Sequence, residues 1–300
     1  MTNGRSPVVI GIFGPTASGK TAVAEAVADL IPADLISADA LQLYRGLAVL
    51  TNQPTRPTGL VAVWPLDHDA SLAEYQALAH AAIDATLAAG RVPVVVGGTG
   101  LYFRAALGEL QVPPAPGPGV RARFERLYDR LGPDRTHAAL AARDPVAAAT
   151  VHPNDRRRVV RALELHEAGV SLLPQRSRLW SAETRRPTRL FGLDVPRAAL
   201  LARIEARTRE MMARGAADEA GRALTGCISR TAAQAIGLRE LTELPPDEAL
   251  EAIVTRTRAY AAYQRKWMRR IPGLQLLDGE RDPSQIAADL VANAGFAAAR

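Results

Sequence analysis

Apolar positions along this chain follow two rhythms. Val8–Ile12 (VVIGI) is an unbroken, β-branched run without charge, the pattern of a parallel strand buried on both faces. LISAD at 35–39 reads as a second short strand ending in an acid, and RVPVVVGGTG at 91–100 as a third running into a glycine turn. Helical periodicity fills the gaps, from Ala22 to Leu30 and through the alanine-rich stretch 72–89. RLFGLDV at 189–195 returns to the strand pattern, with helices expected at about 197–214, 246–270 and 283–299. Alternating strands and helices predict an α/β fold with a parallel sheet.

One stretch breaks the rhythm. VPPAPGPG at 112–119 is dense in proline and glycine and marks a boundary, and 120–180 then reads as helical with no strand-like run. The simplest organisation is a core made of 1–111 and 189–300, interrupted by a helical insert at 112–188. Apolar residues make up 48% and charged residues 23%, as in an ordinary globular protein. The net charge of +6 favours a polyanionic partner. Lysine occurs only at Lys20 and Lys266, so arginine carries nearly all the positive charge; codon bias in a GC-rich genome would give the same skew. Cys227 is the single cysteine, which rules out an internal disulfide. The run Val8–Phe13 is far too short for a membrane span and Met1–Pro7 too short for a signal peptide, so a cytoplasmic protein without a membrane partner is expected. The five histidines are scattered, with no zinc-ligand spacing.

Gly14-Pro15-Thr16-Ala17-Ser18-Gly19-Lys20-Thr21 satisfies G-x-x-x-x-G-K-[ST] at every fixed position, between a strand and a helix. Backbone N–H groups of such a loop converge on a phosphate, and the helix N-terminus adds positive potential. Lys20 supplies a mobile charge, and the Thr21 hydroxyl would hold Mg²⁺, the expected cofactor. This names a P-loop NTPase-like core and a phosphate ligand but no reaction. The chain lacks both an N-K-x-D guanine motif and an apolar strand ending in Asp-Glu.

Further motifs narrow the chemistry. Asp39-Ala40-Leu41-Gln42-Leu43-Tyr44 follows the second strand, and Gly97-Gly98-Thr99-Gly100-Leu101-Tyr102 the third. Val120–Arg123, Asp144–Ala148, His152–Asp155, Arg161–Glu164, Ile204–Met211, Gln234–Gly237 and Tyr260…Gln264…Trp267 follow in order. With the phosphate loop, this series resembles the tRNA dimethylallyltransferases (the IPP transferases) from Val8 to about Arg270. There are departures: Ala40 stands where the family has Ser, Leu50–Pro54 where it has G-T-A-K-P, Leu238 where it has an aromatic, and Ala262-Tyr263 where it has Lys-Arg.

The resemblance implies transfer of a dimethylallyl group from dimethylallyl diphosphate to N6 of the adenosine 3′ of the anticodon in tRNA, releasing diphosphate. Asp39 would be the general base, since an amine conjugated with the purine ring is a poor nucleophile that needs a proton acceptor. From the residues alone, an acid there could equally stand behind a magnesium ion or cap a turn. Arg207 would reach the diphosphate, with Arg203 one turn earlier on the same helix face. Thr99 would touch both base and diphosphate. Asp39, Ala40, Leu41, Gln42 and Thr99 would line the path of the RNA. In the insert, Arg121, Arg157, Arg158 and Arg161 would contact tRNA. Between Arg121 and Arg161 there are ten arginines against five acids, although a solvated face gives the same count. Asn154 or Asp155 would cap the helix that carries them. Tyr260, Tyr263 and Trp267 share one helix face that could stack on unpaired bases, with core burial the commoner cause, above all for Trp267. The target base is expected to turn out of the anticodon loop. A monomer is expected.

Three rivals use the same loop. An adenylate isopentenyltransferase would have little use for the arginine-rich insert. A small-molecule kinase leaves D-x-x-Q-x-Y and Q-A-I-G unexplained. A non-catalytic RNA-binding module has no need of Lys20, Thr21 and Asp39 together.

Overall fold

The computed structural model describes residues 8–113, 117, 119–172 and 178–296. The first seven residues, half of the proline–glycine boundary and the end of the expected last helix lie outside them. The described residues form two compact units, one built from those up to Glu109 and from Leu179 on, the other from Leu110–Arg178.

The first unit is a five-stranded, all-parallel sheet. It begins β1 (Val9–Phe13), α1 (Lys20–Leu30), β2 (Ala33–Ser37), α2 (Leu72–Ala88), β3 (Val92–Gly97) and α3 (Gly100–Leu107). The second unit holds four helices, α4 (Val120–Leu131), α5 (Pro133–Ala141), α6 (Pro145–Ala148) and α7 (Arg156–Glu167). The first then resumes with β4 (Thr188–Asp194), α8 (Arg197–Ala213), α9 (Ala216–Ala223), α10 (Glu240–Glu243), α11 (Pro246–Met268), β5 (Gln275–Asp278) and α12 (Pro283–Asn293). Strand order is β2-β3-β1-β4-β5, so β1 lies at the centre.

All five residues of β1 are buried, as its unbroken apolar run requires. On one face Ile10 and Ile12 pack with Val23 and Val27 of α1 and with Ile286 and Leu290 of α12. On the other, Leu190 of β4 and Phe103 of α3 crowd Gly11 so closely that a Cβ there would sit 2.8 Å from Leu190 Cδ2 and 2.9 Å from Phe103 Cζ. The parallel order puts the C-terminal ends of β1, β2 and β3 along one edge, where sheets of this kind bind ligands.

Three elements differ from the sequence reading. α3 was not expected: only its first residue, Gly100, fell within the glycine turn read after the third strand. β5 was not expected: it is a four-residue edge strand with mostly exposed side chains, so it lacks the apolar run that marks a buried strand. α12 stops at Asn293, followed by Gly295 at φ +84°, a common way to terminate a helix.

Residues 179–187, expected in the insert, lie with the sheet. Buried Arg104 donates to Leu179 O (3.0 Å) and Ser181 O (2.8 Å), and Trp180 stacks on Trp267 with ring centroids 4.8 Å apart. Arg185 and Arg186 both pair with Asp84, and Pro187 O accepts from Val9 N at 2.8 Å. No apolar period marks this polar stretch, so its attachment shows only in contacts distant in sequence.

The helical unit has its own core of Phe124, Tyr128, Leu140, Val151, Val159 and Leu163. Among the described residues no helix is long and apolar enough to cross a membrane.

Candidate active site

The phosphate loop leaves β1 and enters α1 through two left-handed residues, Ala17 (φ +62°) and Gly19 (φ +89°). Gly14 needs its missing side chain, since a Cβ there would lie 2.6 Å from Ser18 Oγ. Two helices from the far end of the chain hold the loop. From α11, Gln264 accepts from Thr16 N (2.7 Å) through Oε1 and donates to Gly98 O (3.0 Å) through Nε2. One buried amide thus ties the phosphate loop to the glycine turn after β3. From α8, Arg207 Nη1 donates to Thr16 Oγ1 at 2.9 Å.

The glycine turn is pressed under α11. A Cβ on Gly98 would meet Gln264 Nε2 at 2.3 Å, and one on Gly100 would meet the Trp267 ring at 2.1 Å. A Cβ on Gly97 would lie 2.2 Å from Ala38 O, so the β2 and β3 ends approach closely. Thr99 is the N-cap residue of α3, yet its hydroxyl makes no capping bond. It turns toward the acid instead: Thr99 Oγ1 accepts from Ala40 N (3.4 Å) and lies 3.2 Å from Tyr260 OH. Asp39 follows the end of β2. One of its carboxylate oxygens accepts from Leu41 N at 3.0 Å; among the described residues the other has no protein donor.

Asp39, Lys20, Thr21, Arg207 and Tyr260 line one open cleft, the concave kind of site in which small ligands bind. Burial lowers the Lys20 pKa from 10.5 to about 8, with Asp39 opposing the shift and Arg207 adding to it. Burial also lowers the Arg207 pKa, again opposed by Asp39, and raises the Tyr260 pKa with help from the Asp39 charge. Two cations and one carboxylate therefore feel one another here.

Part of the lining is apolar. Leu50, Met211, Ile236 and Ile253 face the cleft. Leu50, Ile253 and Met211 converge on Gly237 (φ +99°), where a Cβ would lie 2.8 Å from Leu50 Cδ2. The loop carrying Leu50, Thr51 and Asn52 is fastened by Gln42, whose Nε2 donates to Asn52 O (3.0 Å) and Thr51 O (3.3 Å) while its Oε1 accepts from Ser37 Oγ (2.8 Å). Gln53, at the family's lysine position, donates to Gln42 O and Tyr44 O, so it braces the backbone.

Among the described residues no three His, Cys, Asp or Glu side chains cluster as a metal cage. The Thr21 hydroxyl and the Asp39 carboxylate are hard oxygen donors on one cleft. That donor set suits Mg²⁺, which is commonly bound by few protein oxygens together with substrate phosphates and water.

In the helical unit, Asp155 caps α7 by accepting from Arg158 N at 3.1 Å. Arg121 and Arg161 both bind buried Glu164, at 2.6 and 3.1 Å, while Arg157 and Arg158 are exposed. Arg203, expected beside Arg207, instead donates to Gly279 O at 3.1 Å and does not line the cleft. Sequence reasoning gave no role to Gln264 and placed Tyr260 only in an aromatic stripe. The stripe divides: Tyr260 faces the cleft, Trp267 covers Gly100, and Tyr263 is exposed.

Comparison with known proteins shows the family. The IPP transferase family matches residues 42–271, and the isopentenyl transferase family residues 7–59. A tRNA dimethylallyltransferase of Anaeromyxobacter sp. (strain Fw109-5) is 41% identical over 289 residues, covering 92% of this chain and 96% of the relative. One from Streptomyces coelicolor is 38% identical, covering 91% of each. The full-length tRNA isopentenylpyrophosphate transferase of Bacillus halodurans has a similar structure, with TM-score 0.68, 29% identity and 96% of both chains covered. A eukaryotic dimethylallyltransferase acting on tRNA, at 23% identity and TM-score 0.76, covers 98% of this chain and 81% of its own, and shares the fold.

Proposed function

From the premise that this chain belongs to the tRNA dimethylallyltransferase family, P-loop NTPase-like enzymes that transfer a dimethylallyl group to tRNA, we propose its donor, its target atom and its working residues. The donor is dimethylallyl diphosphate. The acceptor is N6 of the adenosine 3′ of the anticodon. The N6 lone pair forms a bond to the allylic carbon, the C–O bond to diphosphate breaks, and N6 loses a proton.

One observation carries this reading. A carboxylate with a free oxygen stands in the same cleft as a phosphate loop, two cations and an apolar wall. Asp39 accepts the proton of N6. Thr99 and Tyr260, hydrogen-bonded to each other, hold the base and the leaving oxygen in place beside it. The loop amides of Gly14–Thr21, with Lys20 and Arg207, take the charge that grows on the diphosphate, usually the larger electrostatic task. Thr21 would hold Mg²⁺, which when bound neutralises part of the diphosphate charge. The Leu50, Met211, Ile236 and Ile253 wall receives the five-carbon chain.

The RNA-facing residues belong to the same proposal. Ala40, Leu41 and Gln42 follow the base and line the entry of the nucleotide. In the helical unit, Arg157 and Arg158 contact phosphates, and Arg121 and Arg161 do so only with the charge left over from Glu164. These roles separate under mutation. Arg158→Ala is expected to weaken tRNA binding and reduce the slope of log K against log salt by about 0.9, one phosphate contact, with little change in melting temperature. Arg161→Ala is expected to destabilise the protein, because buried Glu164 loses a partner. An unchanged salt slope for Arg158→Ala would return that residue to a solvated face. The same proposal makes the enzyme a cytoplasmic monomer.

The deciding experiment mixes the protein and Mg²⁺ with labelled dimethylallyl diphosphate and either an unmodified tRNA with adenosines 3′ of its anticodon or AMP. Label is expected in the tRNA alone. Label in AMP would make the acceptor a free nucleotide, and label in neither would remove dimethylallyl diphosphate as donor.

A further inference from the structure

A buried acid outside the cleft holds the turn that carries Leu50. Residues 47–53 make a short helical turn: Leu47 O accepts from Thr51 N at 3.0 Å, and Ala48 O from Gln53 N at 2.9 Å. The first N–H groups of such a turn have no partner within it. Two of them, Val49 N and Leu50 N, donate instead to the two carboxylate oxygens of Glu219, at 3.0 and 2.8 Å. Glu219 stands in the first turn of α9, about 170 residues away in sequence, and is 6% exposed.

A buried carboxylate with two adjacent backbone donors is a rigid clamp, since charge-assisted bonds are the strong ones and two fix orientation as well as distance. What it clamps is a wall of the cleft. Leu50 carries its side chain onto Gly237, beside Ile253 and Met211, and faces the cleft with them. No atom of Glu219 lines the cleft, so it acts only through the turn.

We propose that Glu219 is a positioning residue that fixes Leu50 and thereby sets how long a prenyl chain the cleft accepts. Resting on the reading of the apolar wall as the dimethylallyl site, it names a determinant of donor selectivity. With the turn held, Leu50 closes the wall against a ten-carbon chain. With one clamp bond lost, Leu50 can withdraw and the longer donor gains room. Glu219→Gln keeps the size and one good acceptor but replaces the second oxygen with an amino group that cannot accept.

The test compares kcat/KM for dimethylallyl diphosphate and geranyl diphosphate, with one tRNA, in the wild type, Glu219→Gln, Leu50→Ala and the double variant. Each single variant is expected to shift the ratio toward the ten-carbon donor by about tenfold, the scale on which a pocket senses small apolar changes. The KM for tRNA should stay put. The double variant should do little more than either single one, because both act through one side chain. A merely structural Glu219 would lower the melting temperature and both donors' activity together and leave the ratio unchanged; that result, or an additive double variant, overturns the proposal. A wild type that transfers neither donor would instead overturn the functional reading beneath it.

Discussion

Asp39→Asn is expected to lower kcat by about 10²–10⁴-fold, the range usual for removing a positioned general base, with the KM for tRNA and for dimethylallyl diphosphate changed far less. Asparagine keeps the shape and an oxygen for Leu41 N, the bond that Asp39 Oδ1 accepts at 3.0 Å, so the turn after β2 should hold. It loses the basicity. Single-turnover prenyl transfer with saturating tRNA reads the chemical step directly, and filter binding reads affinity. The field of the site sharpens the contrast. Asp39 opposes the burial effects on Lys20 and Arg207, so a neutral residue leaves two cations facing each other without a counter-charge. Diphosphate affinity in Asp39→Asn should therefore hold or rise even as turnover collapses. A variant that loses tRNA binding while keeping single-turnover chemistry would make Asp39 a recognition residue.

What could be read from the sequence divides along a physical line. β1, the phosphate loop and α1 were legible because each is encoded by neighbours: an uncharged β-branched run, a glycine at the left-handed entry to α1, a lysine at fixed spacing. Asp39 and Thr99 were legible as positions at strand ends. Their joint geometry was not, because the Thr99–Tyr260 contact spans 161 residues and nothing local marks it. Gln264 shows the same limit more sharply. A glutamine on a polar helix looks like a surface residue, yet this one is buried and joins the phosphate loop to the glycine turn. A signal was present in Gly98 and Gly100, whose bare backbones imply that something packs against them. Arginines in the helical unit were ambiguous for a related reason. Arg121 and Arg158 look alike in sequence, but only Arg121 faces a buried acid, 43 positions on.

Lys20→Met is expected to reduce kcat/KM for dimethylallyl diphosphate by about 10²–10³-fold, the cost of losing one aimed charge at a developing anion. pH dependence gives the same prediction a second handle. With its pKa lowered to about 8 by burial, Lys20 in the free enzyme should lose its charge as pH rises through 8. kcat/KM for the donor should then fall about tenfold per pH unit above that point, because this quantity follows the free enzyme. kcat should fall later, since bound diphosphate favours the ammonium form and raises its pKa. Lys20→Met should lack the basic limb altogether. Stability must move the opposite way. Below pH 8 the fold holds a buried ammonium at a cost; between about 8 and 10.5 the unfolded chain binds more protons than the folded one, so that cost is relieved and the fold gains stability with rising pH. Lys20→Met, which never bears the cost, should melt higher than the wild type near pH 7, by a margin that shrinks toward pH 10. A wild-type donor profile flat to pH 9.5, with a melting difference independent of pH, would mean that Lys20 keeps an ordinary pKa and that burial does not tune it.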